Sequence, residues 1–282
     1  MKRLLGFAAA ASAVALVLTG CANYSQPSGA APATQIKDLA DLKGKTLAVQ
    51  TDTTGQKYAE DHKAEFGYEI KVFDDLPGTA NAVLAGTADA AINDNGVLYD
   101  FAKQNPTTEV VKEFATGEQY GFNVGKTNQG LLNAANEALA EAKKDGTYNA
   151  IYSKWFGTDA PKDVLDNNTP TTSGDAKPTL VDPKSLTVCT HLAYRPFQYL
   201  DDDNTTIIGF DVDLADVIAK KLGVTQKIID IEFGQITSGA VFPAKKCDLG
   251  AAAITITEER NAAAPFTDPY FDATQALLVK KS

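Results

Sequence analysis

The stretch DLGAAAITITEER at residues 248–260, followed by PFTDPYFD at residues 265–272, carries the most information about the fold. Its apolar run predicts a buried strand that stops at Thr255, and the two glutamates after Thr257 predict a helix that begins there. A hydroxyl group, free backbone N–H groups and the Arg260 guanidinium therefore converge at a strand-to-helix corner. Helix-start N–H groups and a guanidinium both bind carboxylates, so this corner is predicted to be a carboxylate site.

The chain before residue 158 alternates between strands and helices. Apolar runs predict strands at 46–50, 69–73, 88–92, 110–114 and 120–124. Apolar residues at helical spacing predict helices at 56–66, 79–85, 97–104, 131–144 and 148–156, and residues 93–96 predict a turn. Such alternation predicts a parallel α/β sheet.

Residues 158–183 differ in character, because they hold four prolines and a Thr-Pro-Thr-Thr-Ser-Gly run. We interpret them as a linker, which as a coil would span roughly 30 Å. The alternation then resumes. Predicted strands lie at 185–190, 227–233, 248–255 and 275–279, predicted helices at 209–222 and 239–246, and a loop at 191–197.

The first twenty residues predict a secretion signal, with Lys2 and Arg3 before a short apolar run. Leu18-Thr19-Gly20-Cys21 resembles the bacterial lipobox, which implies lipid modification at Cys21. The apolar run is too short for a membrane span, which needs roughly 20 residues. Residues 21–35 are rich in Ser, Pro, Ala and Gly and predict a flexible tether.

Charge and cysteine content narrow the function classes. Without residues 1–20 the chain holds 36 acidic and 24 basic residues, a net charge of −12, which argues against nucleic-acid binding. Cys189 and Cys247 both lie in apolar, strand-like runs. We expect two buried free thiols, since adjacent strands rarely provide disulfide geometry. A disulfide is the alternative in an exported protein.

Seven motifs carry a resemblance that covers nearly all of the chain after residue 35. They are LADLKGK at 39–45, GTADA at 86–90, DGTY at 145–148, KWFG at 154–157, YRPF at 194–197, GFDVD at 209–213 and ALLVK at 276–280. Together with the corner they resemble the bacterial extracellular solute-binding proteins of family 3, the amino-acid receptors of ABC importers. The resemblance implies an α/β fold of the type-II periplasmic kind, with two α/β lobes and a hinge.

The two halves stand in reversed order relative to that family, which implies a circularly permuted chain. Lobe II is then predicted at 36–121, and lobe I at 122–157 and 184–282, joined by the linker. A truncated tandem and a wrongly joined chain are the alternatives. We also expect the cut after Lys281 to leave one covalent crossing between the lobes, near residues 120–124, which would loosen the hinge.

The resemblance implies a set of ligand-binding residues. It assigns a ligand α-carboxylate to Arg260, Thr255 and the backbone of Ala253, and an α-amino group to Asp94. The remaining implied residues are two lobe-II threonines and two aromatic walls: Thr53, Thr54, Tyr194 and Phe233.

Side-chain recognition is predicted for His191, Gln50 and Asn93. Many relatives carry Asp where this chain has His191, so the pocket lacks a negative charge that would favour lysine or arginine. Glutamine or glutamate is the expected ligand.

The implied function is an exported, lipid-anchored receptor that delivers a free polar amino acid to an ABC permease by lobe closure, as a monomer. The alternative is an exported lyase of the same fold, similar to cyclohexadienyl dehydratases. That reading needs a positioned acid or base, and the only histidines are His62 and His191. We therefore expect no enzyme, and we expect no metal or cofactor since no zinc-ligand spacing is present.

Overall fold

The computed structural model describes residues 35–281. The predicted secretion signal at 1–20, Cys21 and all but the last residue of the predicted tether lie outside this part of the chain. The described strands are β1 (Thr46–Gln50), β2 (Glu69–Phe73), β3 (Ala90–Asp94), β4 (Thr108–Tyr120), β5 (Asn123–Val124), β6 (Ser185–Thr190), β7 (Tyr199–Leu200), β8 (Ile207–Ile208), β9 (Thr225–Asp230), β10 (Leu249–Gly250) and β11 (Phe271–Lys280).

The described helices follow the same chain order. They are α1 (Thr54–Phe66), α2 (Leu76–Leu84), α3 (Asn95–Gln104), α4 (Gln129–Asp145), α5 (Thr147–Phe156), α6 (Lys162–Asp166), α7 (Phe210–Leu222), α8 (Phe233–Thr237) and α9 (Glu258–Ala263), with a 3-10 turn at Leu39–Leu42. Within residues 35–281, no helix combines the length and the apolar character that a membrane crossing requires.

Five strands form the first sheet, in the order β2-β1-β3-β11-β4. β1 pairs in parallel with β2 and β3, whereas β11 runs antiparallel between β3 and β4. All five residues of β3 are buried, as expected for a strand covered on both faces. Because β1 and β3 are parallel, their carboxyl ends lie at the same edge of this sheet.

Four strands form the second sheet, in the order β5-β10-β6-β9. β6 lies in parallel with β9 and β10, and β5 closes the edge antiparallel to β10. All six residues of β6 are buried. α4, α5 and α7 pack on one another beside this sheet.

The chain crosses between the two sheets twice. β4 ends in the first sheet at Tyr120, and β5 begins in the second sheet at Asn123. The chain returns after α9, because β11 pairs with β3 and β4 over Phe271–Lys280. The expectation of a single covalent crossing is therefore wrong. β11 belongs to the first sheet, although 184–282 is predicted to lie wholly in lobe I. The predicted cut after Lys281 thus follows the second crossing and does not remove it.

The linker is not a free coil. Residues 162–166 form α6, and later linker residues contact α4 through side-chain hydrogen bonds. Asn136 Nδ2 donates to Thr172 Oγ1 at 2.8 Å, and Lys143 Nζ donates to the Asn167 carbonyl at 2.8 Å. The polar face of α4 thus supplies partners that composition alone does not show.

Several predicted elements shift where tertiary contacts decide. Asn93 and Asp94 lie in β3 rather than in a turn, β4 covers 108–120 rather than 110–114, and the strand predicted at 120–124 is shortened to β5. The strand predicted to reach Phe233 ends at Asp230, and residues 239–246 form turns instead of a helix. Of the strand predicted at 248–255, only Leu249–Gly250 forms a strand, and Thr255 adds an isolated antiparallel bridge to Tyr120.

Cys189 and Cys247 form a disulfide with a Cα–Cα distance of 5.7 Å, so the expectation of free thiols is wrong. Cys189 lies in β6, but Cys247 lies in the loop before β10 rather than in a paired strand. Adjacent paired strands rarely provide disulfide geometry, but this restriction does not apply to a cysteine in a loop.

Candidate functional site

A cavity of about 10 Å³ lies between the two sheets. This is about the space of a single water molecule, so the cavity is tightly closed. The structure brings together ten of the eleven predicted site residues on its wall: Gln50, Thr53, Thr54, Asp94, His191, Tyr194, Phe233, Ala253, Thr255 and Arg260. The eleventh, Asn93, is buried behind them, and the sequence analysis did not name Gln198, which also lines the cavity.

The corner at residues 251–260 forms one wall. The Thr257 hydroxyl caps α9 by accepting from the Arg260 backbone N–H at 3.1 Å. The Arg260 guanidinium donates to the Thr255 carbonyl at 3.0 Å and to the Asp52 carbonyl at 2.8 Å. Burial lowers the pKa of Arg260, while the nearby Asp94 and Glu118 carboxylates oppose that shift. The guanidinium therefore links the corner to the loop after β1.

Asp211, at the start of α7, holds the corner in shape. Its carboxylate accepts from the Ala253 backbone N–H at 2.7 Å and from the Tyr270 hydroxyl at 2.8 Å. Ala253 has a φ of 49°, a left-handed conformation that is uncommon for a residue with a Cβ. Asp211 is fully buried, and burial raises its pKa to about 7 against the lowering effect of its two hydrogen bonds.

Asp94 ends β3 and gathers donors from three elements. Tyr120 and Gln275 donate to it from the crossing strands β4 and β11, and Tyr194 donates at 2.8 Å. Burial raises the pKa of Asp94 to about 6, and repulsion from Glu118 adds to this effect. Its three hydrogen bonds act in the opposite direction and keep the shift moderate.

Glu118, in β4, is a second buried carboxylate that the sequence analysis missed. It accepts from the Thr54 hydroxyl at 2.7 Å and from the Thr255 hydroxyl at 2.6 Å. Gln275 Nε2 donates to both Glu118 and Asp94. Thr54 and Thr255, two predicted ligand-binding residues, therefore both donate their hydroxyls to Glu118. The alternation of β4 places residues 118 and 120 on one face, a signal that could have revealed Glu118.

The start of α1 faces the cavity from the first sheet. The Thr53 hydroxyl donates to the Gln50 carbonyl at 2.7 Å and accepts from the Gln56 N–H at 3.0 Å, so it acts as the helix cap. Gly55 follows, and a Cβ there would lie 2.5 Å from Gln275 Oε1. The first backbone N–H groups of this 13-residue helix are the donors that remain for an anion.

A polar chain behind the cavity joins the two sides. Asn93 Nδ2 donates to Gln50 Oε1 at 3.1 Å, and the Tyr194 hydroxyl lies 2.7 Å from Asn93 Oδ1, so its one proton is shared between this oxygen and Asp94. Asn93 therefore positions neighbours and does not line the cavity. Across residues 35–281, no group of three His, Cys, Asp or Glu side chains is arranged to hold a metal ion.

Two sheets, two crossings and a cavity between them define a type-II periplasmic binding protein. The family model of the bacterial extracellular solute-binding proteins, family 3, matches residues 33–158 and 186–282, which is most of the chain. The chain belongs to this family.

Curated relatives that match this chain are amino-acid-binding proteins. The L-cystine-binding protein TcyJ of Escherichia coli is 34% identical over 128 residues, which are 45% of this chain and 47% of that protein. The ABC transporter arginine-binding protein 1 of the same species is 35% identical over 43% of this chain and 51% of its own. The glutamine-binding protein GlnH of Bacillus subtilis is 34% identical over 44% and 45%. The chain thus spans about half the length of the curated relatives it matches.

Solved structures match over shorter parts. An ancestral arginine-binding protein bound to arginine is 40% identical, covering 31% of this chain and 38% of its own, with a TM-score of 0.29. An ancestral cyclohexadienyl dehydratase is 35% identical, covering 31% and 35%, with a TM-score of 0.29.

Proposed function

We propose that this protein is an extracytoplasmic receptor that binds a free polar amino acid and delivers it to an ABC importer. The observation that carries the proposal is the pairing of Arg260 and Asp94 on one small cavity. Arg260 belongs to the corner beside the second sheet, and Asp94 to the end of β3 in the first. Opposite charges from two sides suit the carboxylate and the ammonium group of one amino acid.

Binding would proceed by lobe closure. The tight cavity requires the two sheets to move apart before an amino acid can enter. The ligand would first meet Arg260 and the aromatic walls, Tyr194 and Phe233, and the first sheet would then add Asp94 and the start of α1. Only contacts that exist in the closed form can drive closure, because a ligand shifts an equilibrium by its differential affinity.

Glutamine or glutamate is the ligand we favour within this class. His191 stands where many relatives carry an aspartate, so that fixed charge for a cationic side chain is absent. The names of the relatives give arginine, cystine and glutamine as the ligands of those proteins. The cavity of this chain is also lined by Gln50 and Gln198, which are polar and uncharged.

The remaining parts of the proposal concern the whole protein. We infer a monomer that is exported, anchored by lipid at Cys21 and recognised by a membrane permease in its closed form. The chain would be a circular permutant, with lobe II at 36–121 and lobe I in two parts joined by the linker at 158–183. The crossing strand β11 completes the lobe-II sheet in this arrangement.

Calorimetric titration of the ligand-stripped protein with all twenty amino acids tests this function. We expect saturable binding of a small set of polar amino acids with one site per chain. Failure of every amino acid to bind would refute the receptor proposal. The exported-lyase alternative predicts turnover of a cyclohexadienyl substrate, which the same preparation should fail to convert.

A further inference from the structure

Gln198 presents a fixed hydrogen-bond acceptor to the cavity. It is 1% exposed and lines the cavity wall. Its Nε2 donates to the His191 carbonyl at 3.2 Å. A carbonyl can only accept, so this bond sets the orientation of the amide and leaves Oε1 at its other corner. Gln198 Oε1 is buried and has no hydrogen-bond partner within residues 35–281.

His191 presents a second acceptor beside it. Its Nδ1 lies 3.2 Å from the Ile231 carbonyl, and this atom must carry the proton because the carbonyl accepts. In the neutral imidazole, Nε2 then bears a lone pair. Nε2 is buried, and the described part of the chain offers it no partner. The ring lies 6.2 Å from that of Phe233, so both face the same part of the cavity.

Gln50 supplies a complementary donor. Its Oε1 accepts from Asn93 Nδ2, which leaves its Nε2 as the donor end of the amide. The wall of the cavity therefore offers two acceptors and one donor through uncharged groups. A primary amide matches this set, because it carries two N–H donors and one carbonyl oxygen.

We propose, on the basis of the receptor function above, that Gln198 Oε1 and His191 Nε2 form an acceptor pair that selects a ligand side chain ending in N–H donors, namely glutamine over glutamate. A glutamate carboxylate would place acceptors against this pair and leave both groups unpaired. It would also add a third carboxylate to a network that already holds Asp94 and Glu118. A cationic side chain supplies donors but buries a charge against neutral partners.

The test compares isosteric ligands on ligand-stripped protein at pH 8. The wild type should bind glutamine at least roughly tenfold more tightly than glutamate, since a buried unpaired acceptor weakens binding by about five- to a hundredfold. Gln198→Ala and His191→Phe should each reduce the glutamine-to-glutamate ratio roughly tenfold. His191→Phe keeps an aromatic ring and the backbone carbonyl to which Gln198 donates. It therefore still tests the proposal if Gln198→Ala fails to fold.

Gln226→Ala is the matched control. Gln226 also donates its amide to a backbone carbonyl, that of Val212 at 2.9 Å, but it lies on β9 away from the cavity. This variant should keep the wild-type ratio. Equal binding of glutamine and glutamate, tighter binding of arginine than glutamine, or an unchanged ratio in both test variants would each overturn the acceptor pair while leaving the receptor function standing. Binding of no amino acid would instead refute the receptor function, and the acceptor pair with it.

Discussion

Arg260 and Asp94 are the only two cavity-lining residues with full, opposite charges among the residues that the structure describes there. Both are held by neighbours, Arg260 by two carbonyls and Asp94 by two tyrosines and Gln275. Removing either one leaves a charged end of the ligand unpaired in a buried site, at a cost of about 3–5 kcal/mol.

Arg260→Ala and Asp94→Ala are therefore expected to weaken amino-acid binding by two or more orders of magnitude, as calorimetry would measure. Arg195→Ala is the control, because Arg195 is a half-exposed arginine paired with Asp100 at 3.5 Å, outside this cavity. Near-native affinity in either test variant, with an intact circular dichroism spectrum, would contradict the assignment.

The pKa of Asp94 predicts how affinity depends on pH. The ligand ammonium binds the ionised carboxylate, and the pKa near 6 means that the unliganded site takes up a proton as pH falls below 6. The dissociation constant should thus be flat between pH 7 and 8 and rise about tenfold per pH unit below 6. Glu118→Gln removes the repulsion that contributes to this pKa, so the bend in the profile should move to lower pH.

An unchanged bend in Glu118→Gln would show that repulsion from Glu118 does not contribute to the pKa of Asp94. A bend that moves to higher pH would contradict the electrostatic argument altogether. Calorimetry at five pH values between 5 and 8 resolves these outcomes.

At the scale of elements, the contact between α7 and the corner before α9 makes the stability of the protein depend on pH. Asp211 has a pKa of about 7 in the folded protein, above the ordinary value near 4. The folded state therefore holds a proton between these values, and the unfolded state does not. The stabilising contribution is fully present below about pH 4 and is lost as pH rises through 7.

The free energy of unfolding should accordingly fall by up to about 1.4 kcal/mol per pH unit across that window, and Asp94 adds the same sign up to about pH 6. Urea unfolding of Asp211→Asn should show a shallower dependence between pH 6 and 7. Asparagine keeps an acceptor for the Ala253 N–H, so the corner should persist. An equally steep dependence in the variant would assign the titration to other groups.

The disulfide ties β6 to the loop before β10 across a sequence separation of 58 residues. Closing a loop of this length restricts the unfolded chain and stabilises the protein by about 4 kcal/mol in the chain-entropy description. Cys189→Ser with Cys247→Ser should lower the free energy of unfolding by that order, measured with urea. Reduction of the wild type with a thiol should reproduce the loss, whereas it should not affect the double variant.

At the scale of the whole molecule, the two crossings bear on the proposed permutation. β11 ends level with the start of β1, with β3 between them: Val279 pairs with Ala90, and Ala90 pairs with Leu47. The two ends that family order would join therefore lie at the same edge of the first sheet, and each crossing remains covalent in the present order.

Rebuilding the chain as 184–282 followed by 36–157 should consequently leave the amino-acid affinity unchanged within about threefold, because the hinge connections are the same in both orders. This expectation replaces the loosened hinge that the sequence alone suggested. Titration of both forms with the same ligand, together with small-angle scattering of the unliganded proteins, tests it. A large gain in affinity on rebuilding would restore the loosened-hinge argument.

The sequence by itself determined the α/β alternation and the corner at residues 248–260. β2 and β6 begin and end where their apolar runs predict, because β-branched and apolar runs bounded by polar residues have few other stable arrangements. The sequence also identified most of the residues that line the cavity, because short, local family motifs occur at those positions.

Only the tertiary structure decided the other contacts, because the residues that make them lie far apart along the chain. Glu118 and Gln275 stand 157 positions apart, and nothing local in either strand signals that both carboxylates of the network share one amide. Gln198 gains its orientation from the His191 carbonyl, and the linker gains its order from α4. The disulfide and the place of β11 likewise follow from which strands meet, a choice made by the packing of the whole chain and not by any window of residues.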